Sequence, residues 1–145
     1  MRETIYSVLV VDDNIADLAL VAESLSRCEH RCAVSYATSL EDAIRHLESE
    51  WFDLVLCEMG SGRDYLAVLH AIRADERWRR TPVIVLSGVD DPDGAYLGGA
   101  NAFVLKSGDM AAFCEKIRGI AAFWMGVAEV PRLVPSFTVL SRVRD

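Results

Sequence analysis

Five residues of this chain could do chemistry together if folding gathers them: Asp12, Asp13, Glu58, Ser87 and Lys106. Each follows a short apolar run: VLVV before Asp12 and Asp13, LVLC before Glu58, VIVL before Ser87 and AFVL before Lys106. Crowded carboxylates repel and need a proton or a cation between them. A hard divalent ion such as Mg²⁺ suits oxygen ligands. A lysine and a hydroxyl facing an acid suit the oxygens of a phosphoryl group. Taken alone, Asp12 and Asp13 read as acids favoured at a helix start by the backbone dipole. Their repetition at the ends of other runs is what points to a shared site.

The elements that would position these residues alternate along the chain. Ser7 to Val11, Arg31 to Tyr36, Phe52 to Cys57, Val83 to Leu86 and Ala102 to Leu105 read as strands, several of them apolar throughout, as strands covered on both faces are. Between them lie helical patterns. Asn14 opens one with Ile15, Leu18, Val21, Ala22 and Leu25 on one side, and Thr38 with Glu41 suggests a capping box before Leu40, Ala43, Ile44 and Leu47. Tyr65, Val68, Leu69 and Ile72 mark a third helix, Asp91 to Leu97 a weak fourth, and Asp109 caps a fifth that buries Phe113, Ile117, Ile120 and Trp124. Five β–α units in a row predict a parallel sheet with helices on both faces, wound by right-handed crossovers. In such sheets the site lies at the carboxyl ends of the strands, where all five candidate residues stand.

Composition narrows the classes. The chain has 145 residues, enough for one domain with a real core, and 52% are hydrophobic, which excludes a disordered chain. A net charge of -7 argues against holding nucleic acid by phosphate neutralisation. No run approaches the ~18 apolar residues of a membrane span, and the opening MRETIY lacks the zones of a secretory signal. The expectation is a cytoplasmic protein. Its cysteines, Cys28, Cys32, Cys57 and Cys114, read as reduced and packed; Cys28, His30 and Cys32 lack the further ligands that a zinc site needs. His30, His46 and His70 read as surface or satisfied side chains.

With these residues in place, the chain resembles the receiver domain of bacterial two-component response regulators. The resemblance rests on VLVVDDN (Val8–Asn14), FDLVLCE (Phe52–Glu58), TPVIVLSG (Thr81–Gly88) and GANAFVLK (Gly99–Lys106), and covers residues 5–127. DDP followed by AYLGGANAF, and a last helix ending in FW, are most similar to the small single-domain regulators paired with bacterial phytochromes. It implies a flavodoxin-like doubly wound (βα)5 sandwich with strand order 2-1-3-4-5 and a receiver over residues 1–128; residues 129–145, with two prolines and apolar–polar alternation from Phe137, read as a tail that is disordered or forms a dimer arm. It implies a phosphoacceptor at position 58 and Mg²⁺ held by that residue, Asp12, Asp13 and the main-chain carbonyl of Gly60. Ser87 and Lys106 would grip the phosphoryl group, and Phe103 would be the switch aromatic that alters the face of helix four, strand five and helix five. The partners implied are a sensor histidine kinase, a bacterial phytochrome among the candidates, or another signalling protein. A homodimer contact would involve Phe123 and Trp124. Neither nucleic acid nor membrane is expected.

The departures from that pattern change the expected function. Position 58 holds Glu where the family has Asp. The extra methylene shifts the carboxylate by about 1 Å, and misplacement of that size costs on the order of a hundredfold in a positioned reaction. A longer acid would instead pair with Lys106 and accept from Ser87. The following loop, MGSGRD, is one residue short and lacks the usual proline. Helix four is shortened and carries Gly94, with Gly98 and Gly99 at its close. Ser107 stands where the family commonly has a cis proline, so a trans bond is expected, because a cis bond without proline costs about 2.5–4 kcal/mol. The expectation is a non-enzymatic receiver-type module that acts by protein contact without ordinary aspartyl phosphorylation, with Mg²⁺ binding weak or absent. One alternative is a working phosphorelay receiver. Another is a Mg²⁺-dependent phosphohydrolase using Asp12, although Asn14 stands where its acid–base aspartate would be.

Overall fold

The structure, a computed structural model, describes residues 4–58, 65–106 and 108–132. Ten elements alternate: β1 (Ile5–Val11), α1 (Ile15–Ser26), β2 (Arg31–Ala37), α2 (Leu40–Ser49), β3 (Leu54–Cys57), α3 (Tyr65–Ala74), β4 (Val83–Ser87), α4 (Pro92–Leu97), β5 (Ala102–Leu105) and α5 (Met110–Gly126). The strands form one parallel sheet in the order β2-β1-β3-β4-β5, as the alternation and the resemblance imply. The order reverses between β1 and β3, so their carboxyl ends flank the crevice where such folds place a ligand.

Side chains alternate across a strand. Leu9, Val11, Val55, Cys57, Val83 and Val85 therefore enter the core layer under α2 and α3. Val8, Val10, Leu54, Leu56, Ile84 and Leu86 enter the layer under α1 and α5. All twelve are buried, which is why these strands read as continuous apolar runs. Both faces are closed by the helix stripes expected: Val68, Leu69 and Ile72 from α3, and Phe113, Ile117 and Ile120 from α5.

Caps set the helix starts. The Asn14 side chain accepts from the N–H groups of Ala16 and Asp17, and Asp109 accepts from Ala111. The second cap differs from the Thr38–Glu41 box. Strand β2 runs on to Ala37, paired with Val11, and the chain turns one residue later, so Ser39 accepts from the Asp42 N–H at 3.1 Å. Strand β3 starts at Leu54, two residues later than the pattern suggests. Asp53 fastens its entrance to β1: its N–H donates to Ser7 O, and its carboxylate accepts from the Ser7 N–H, both at 2.8 Å. In α1 the buried stripe is Leu18, Val21, Ser24 and Leu25. Ile15 lies off it and is 75% exposed, contrary to its assignment to the apolar side. Helix α4 is the short element expected, six residues long, and its exit uses Gly99 at φ 105°, a conformation L side chains rarely adopt.

The four cysteines are free thiols. Burial, reinforced by Cys28, pushes the Cys32 pKa up to about 12. Complete burial raises that of Cys57 further.

Candidate functional site

The ends of β1, β3, β4 and β5 lie side by side. The Glu58 N–H donates to Val11 O at 2.7 Å, Asp12 N–H to Ala37 O at 2.9 Å, and Lys106 N–H to Ser87 O at 2.7 Å. Strand alternation then decides which side chains meet. Asp12 continues the Val8–Val10 face, Glu58 the Leu54–Leu56 face and Lys106 the Ala102–Val104 face, all on the side covered by α1 and α5. Ser87 continues Val83–Val85 on the other side, where Phe103 also packs.

Lys106 is the hub. Its ammonium donates to Glu58 Oε1 at 2.7 Å and to Asp17 Oδ2 at 2.6 Å, and lies 3.6 Å from Asp12 Oδ2. The ring of Phe113 flanks it, its centroid 5.8 Å from Nζ. The Lys106 and Glu58 side chains are only 15% and 14% exposed, so these contacts are poorly screened by water. Asp12 is deeper still, at 3%. Burial, aided by Glu58 and Asp17, lifts its pKa to about 7, against the opposing pull of the Asn14 N–H bond at 2.9 Å and of Lys106. Burial by itself would lower the Lys106 pKa. The bonds to Asp17 and Glu58, with the field of Asp12, outweigh it and hold that pKa above the usual lysine value.

Asp12, Glu58 and Lys106 are thus brought together from distant parts of the sequence. Asp13 is exposed, and the carboxylates that converge within 4.8 Å are those of Asp12, Asp17 and Glu58. Asp17 escaped the sequence reading because it stands on a helix, not at a strand end. Its signal was its place four residues before buried Val21, in the first turn of the helix that covers this face. Ser87 is buried, but its hydroxyl donates to Val89 O at 3.1 Å and accepts from Val89 N–H at 3.0 Å. Its single proton is committed there, so the expected bond to Glu58 is not made. Gly60, the MGSGRD loop (including Asp64) and Ser107 with its peptide bond lie outside the described residues. Asp53 is at the opposite end of β3. Among the histidines, His46 packs edge-on against Phe52 and His30 against Tyr6, while His70 is exposed.

The oxygen donors of Asp12, Asp17 and Glu58 can hold Mg²⁺ weakly. The ammonium among them already supplies a positive charge and competes for the same oxygens.

A parallel sheet in 2-1-3-4-5 order, with acids and a lysine converging at the strand ends, defines a flavodoxin-like doubly wound domain with its site at the carboxyl edge. Residues 8–118 match the response regulator receiver domain family, and the chain belongs to that family. It is a signal-transduction domain, not a catalytic enzyme fold. Among solved structures it is similar to the phosphorylated cyanobacterial phytochrome response regulator RcpA, with 24% identity, TM-score 0.79, and coverage of 89% of this chain and 100% of that one. A response regulator in red light signalling of R. palustris is 24% identical with TM-score 0.76, over 88% of this chain and 99% of the other. A response regulator from Hahella chejuensis is 26% identical with TM-score 0.75, over 86% and 98%. No curated protein sequence matches. No helix among the described residues is long and apolar enough to cross a membrane.

Proposed function

We propose that this receiver signals by protein contact in a state held by the Glu58–Lys106 pair, without the ordinary aspartyl phosphorylation cycle. The 2.7 Å contact between Glu58 Oε1 and Lys106 Nζ carries the reading. By resemblance, that lysine would grip the phosphoryl group on an aspartate. Here the longer acid reaches the lysine directly and stands in for the missing charge. Phe103, packed against the core beside β4, would fix the face made by α4, β5 and α5. That face shows Tyr96, Leu97 and Leu105, respectively 52%, 89% and 38% exposed, a surface suited to an apolar partner patch.

The partner proposed is a sensor histidine kinase of the phytochrome type or another cytoplasmic signalling protein. Phe123 is 49% exposed and meets Trp124 edge to face at 5.2 Å, so this pair is the proposed homodimer contact. Residues 1–128 would form the receiver. The proposed tail, residues 129–145, falls largely outside the described residues.

A second reading, a receiver that accepts phosphate from a histidine kinase, is favoured by family membership and by the likeness to a phosphorylated regulator. Incubation with acetyl phosphate and Mg²⁺ separates the two. Intact-mass spectrometry is expected to find the wild-type chain unmodified. Glu58→Asp, which withdraws the carboxylate by one methylene, should raise phosphoryl incorporation on the order of a hundredfold. A labile phosphoryl group on Glu58 itself would establish the second reading instead.

A further inference from the structure

At the other edge of the sheet, three sulfur atoms converge. Cys28 follows α1 and Cys32 is the second residue of β2; their Sγ atoms lie 3.8 Å apart. Met125, near the end of α5, places its Sδ 3.5 Å from Cys32 Sγ. These residues come from the turn after α1, from β2 and from α5, and the surroundings hold them. The Tyr6 hydroxyl donates to Met125 O at 2.8 Å, pinning the end of α5 to β1. The His30 carbonyl lies 3.0 and 3.7 Å from the two thiol sulfurs, which donate to it. The His30 ring lies over Gly126, where a Cβ would meet Nε2 at 3.0 Å, so the ring packs closely on the end of α5.

We propose that Cys28, Cys32 and Met125 form a binding site for a soft monovalent metal ion of the Cu(I) class. Two thiolates and a thioether are the ligand set that selects such an ion over harder ones. A trigonal ion with metal–sulfur bonds of about 2.3 Å sets its sulfurs about 4 Å apart, close to the 3.8 and 3.5 Å that separate Cys32 Sγ from the sulfurs of Cys28 and Met125. Met125 is buried while both cysteines are half-buried, so an ion can enter from the cysteine side against a dry thioether. Binding replaces the thiol protons, which leave to solvent, and no change of oxidation state is involved. The site stands apart from the Lys106 cluster and does not rest on the function proposed for it.

The test uses the reduced full-length chain, without oxygen, offered Cu(I) held by the chromophoric chelator bicinchoninate. The chain should withdraw one copper ion, and X-ray absorption should show a shell of sulfur. Cys28→Ser and Cys32→Ser should each lower affinity by about 100-fold, Met125→Leu by about 10-fold, and Cys114→Ser should leave it unchanged. Should Cys32→Ser fail to fold, Cys28→Ser and Met125→Leu decide, since Met125→Leu preserves volume and hydrophobicity. Copper left with the chelator, a nitrogen or oxygen shell, a Cys28–Cys32 disulfide formed in place of binding, or equal loss in Cys114→Ser overturns the proposal.

Discussion

Lys106 and Arg73 are both drawn into the protein, at opposite ends of the sheet, and their charges are met in opposite ways. Arg73, in the last turn of α3, donates to Gly99 O at 2.8 Å, Arg79 O at 2.9 Å, Thr81 O at 2.7 Å and Asn101 Oδ1 at 2.7 Å. Every acceptor in that set is neutral. Asn101 Oδ1 also takes the Val83 N–H at 2.9 Å, so one guanidinium ties α3 to the amino ends of β4 and β5. Burial lowers its pKa, but an arginine stays charged over any working pH. Lys106 faces carboxylates, and one of them titrates near neutrality. Carbonyl dipoles make a clip indifferent to pH, whereas carboxylates make a site whose charge balance can be changed by a proton, a metal ion or a phosphoryl group. The first arrangement serves the fold and the second can serve a signal.

The largest effect should come from the clip. Arg73→Ala leaves carbonyls without donors and should lower stability by about 3 kcal/mol in urea unfolding. Arg73→Lys should recover only part of this, because an ammonium cannot span acceptors set for a planar fork. The loss should be the same at pH 5 and pH 8. A loss below about 1 kcal/mol, or one that varied with pH, would erase the contrast between the two cations.

Next in size is Asp12→Asn, which should stabilise the protein. The Asp12 pKa is raised to about 7, well above the ~3.9 of an unfolded aspartate, so the folded state holds the proton more tightly. Its contribution is fully present below about pH 4 and is lost as pH rises through about 7. Asparagine has no proton to lose and keeps an oxygen for the Asn14 N–H. The variant should match wild type near pH 4 and exceed it by a margin that grows as pH rises toward 8. Equal stability at pH 8 would mean that the buried proton belongs to another group.

Much of this was legible in the residues, for physical reasons. A strand covered on both faces must be apolar throughout, so the buried runs of β1, β3 and β4 announced themselves, and the first polar residue beyond each had to stand at the sheet's edge. Asn14 and Asp109 were legible as caps because their short oxygens can satisfy a helix start. Asp17 was not, because an acid beside an apolar helix stripe looks like a solvated neighbour until the facing lysine is known. Arg73 left no pattern at all, since most of its acceptors are backbone carbonyls and any residue supplies those. The turn of the Ser87 hydroxyl toward Val89 depends on the path of the chain after β4, which residue types do not encode.

The smallest effect, and the one that best tests the charge balance, belongs to Asp17→Asn. Its side chain is 34% exposed, so the lost ion pair is partly screened, and Lys106 keeps Glu58 at 2.7 Å and Asp12 at 3.6 Å. Stability at pH 7 should fall by only about 0.5–1 kcal/mol. The diagnostic lies in the slope. Asp17 helps raise the Asp12 pKa by repulsion, and it also draws Lys106 toward itself. Its neutralisation removes the repulsion and frees the ammonium to approach Asp12, and both changes lower the Asp12 pKa. The folded state then binds the Asp12 proton less tightly, so the decline in stability from pH 5 to pH 8 should be shallower than in wild type. An unchanged slope with a lower intercept would mean that Asp17 serves only as an exposed partner for Lys106. A shallower slope would show that the charge of Asp17 acts on the Asp12 proton across the Lys106 site, a dependence that the all-neutral cradle of Arg73 cannot have.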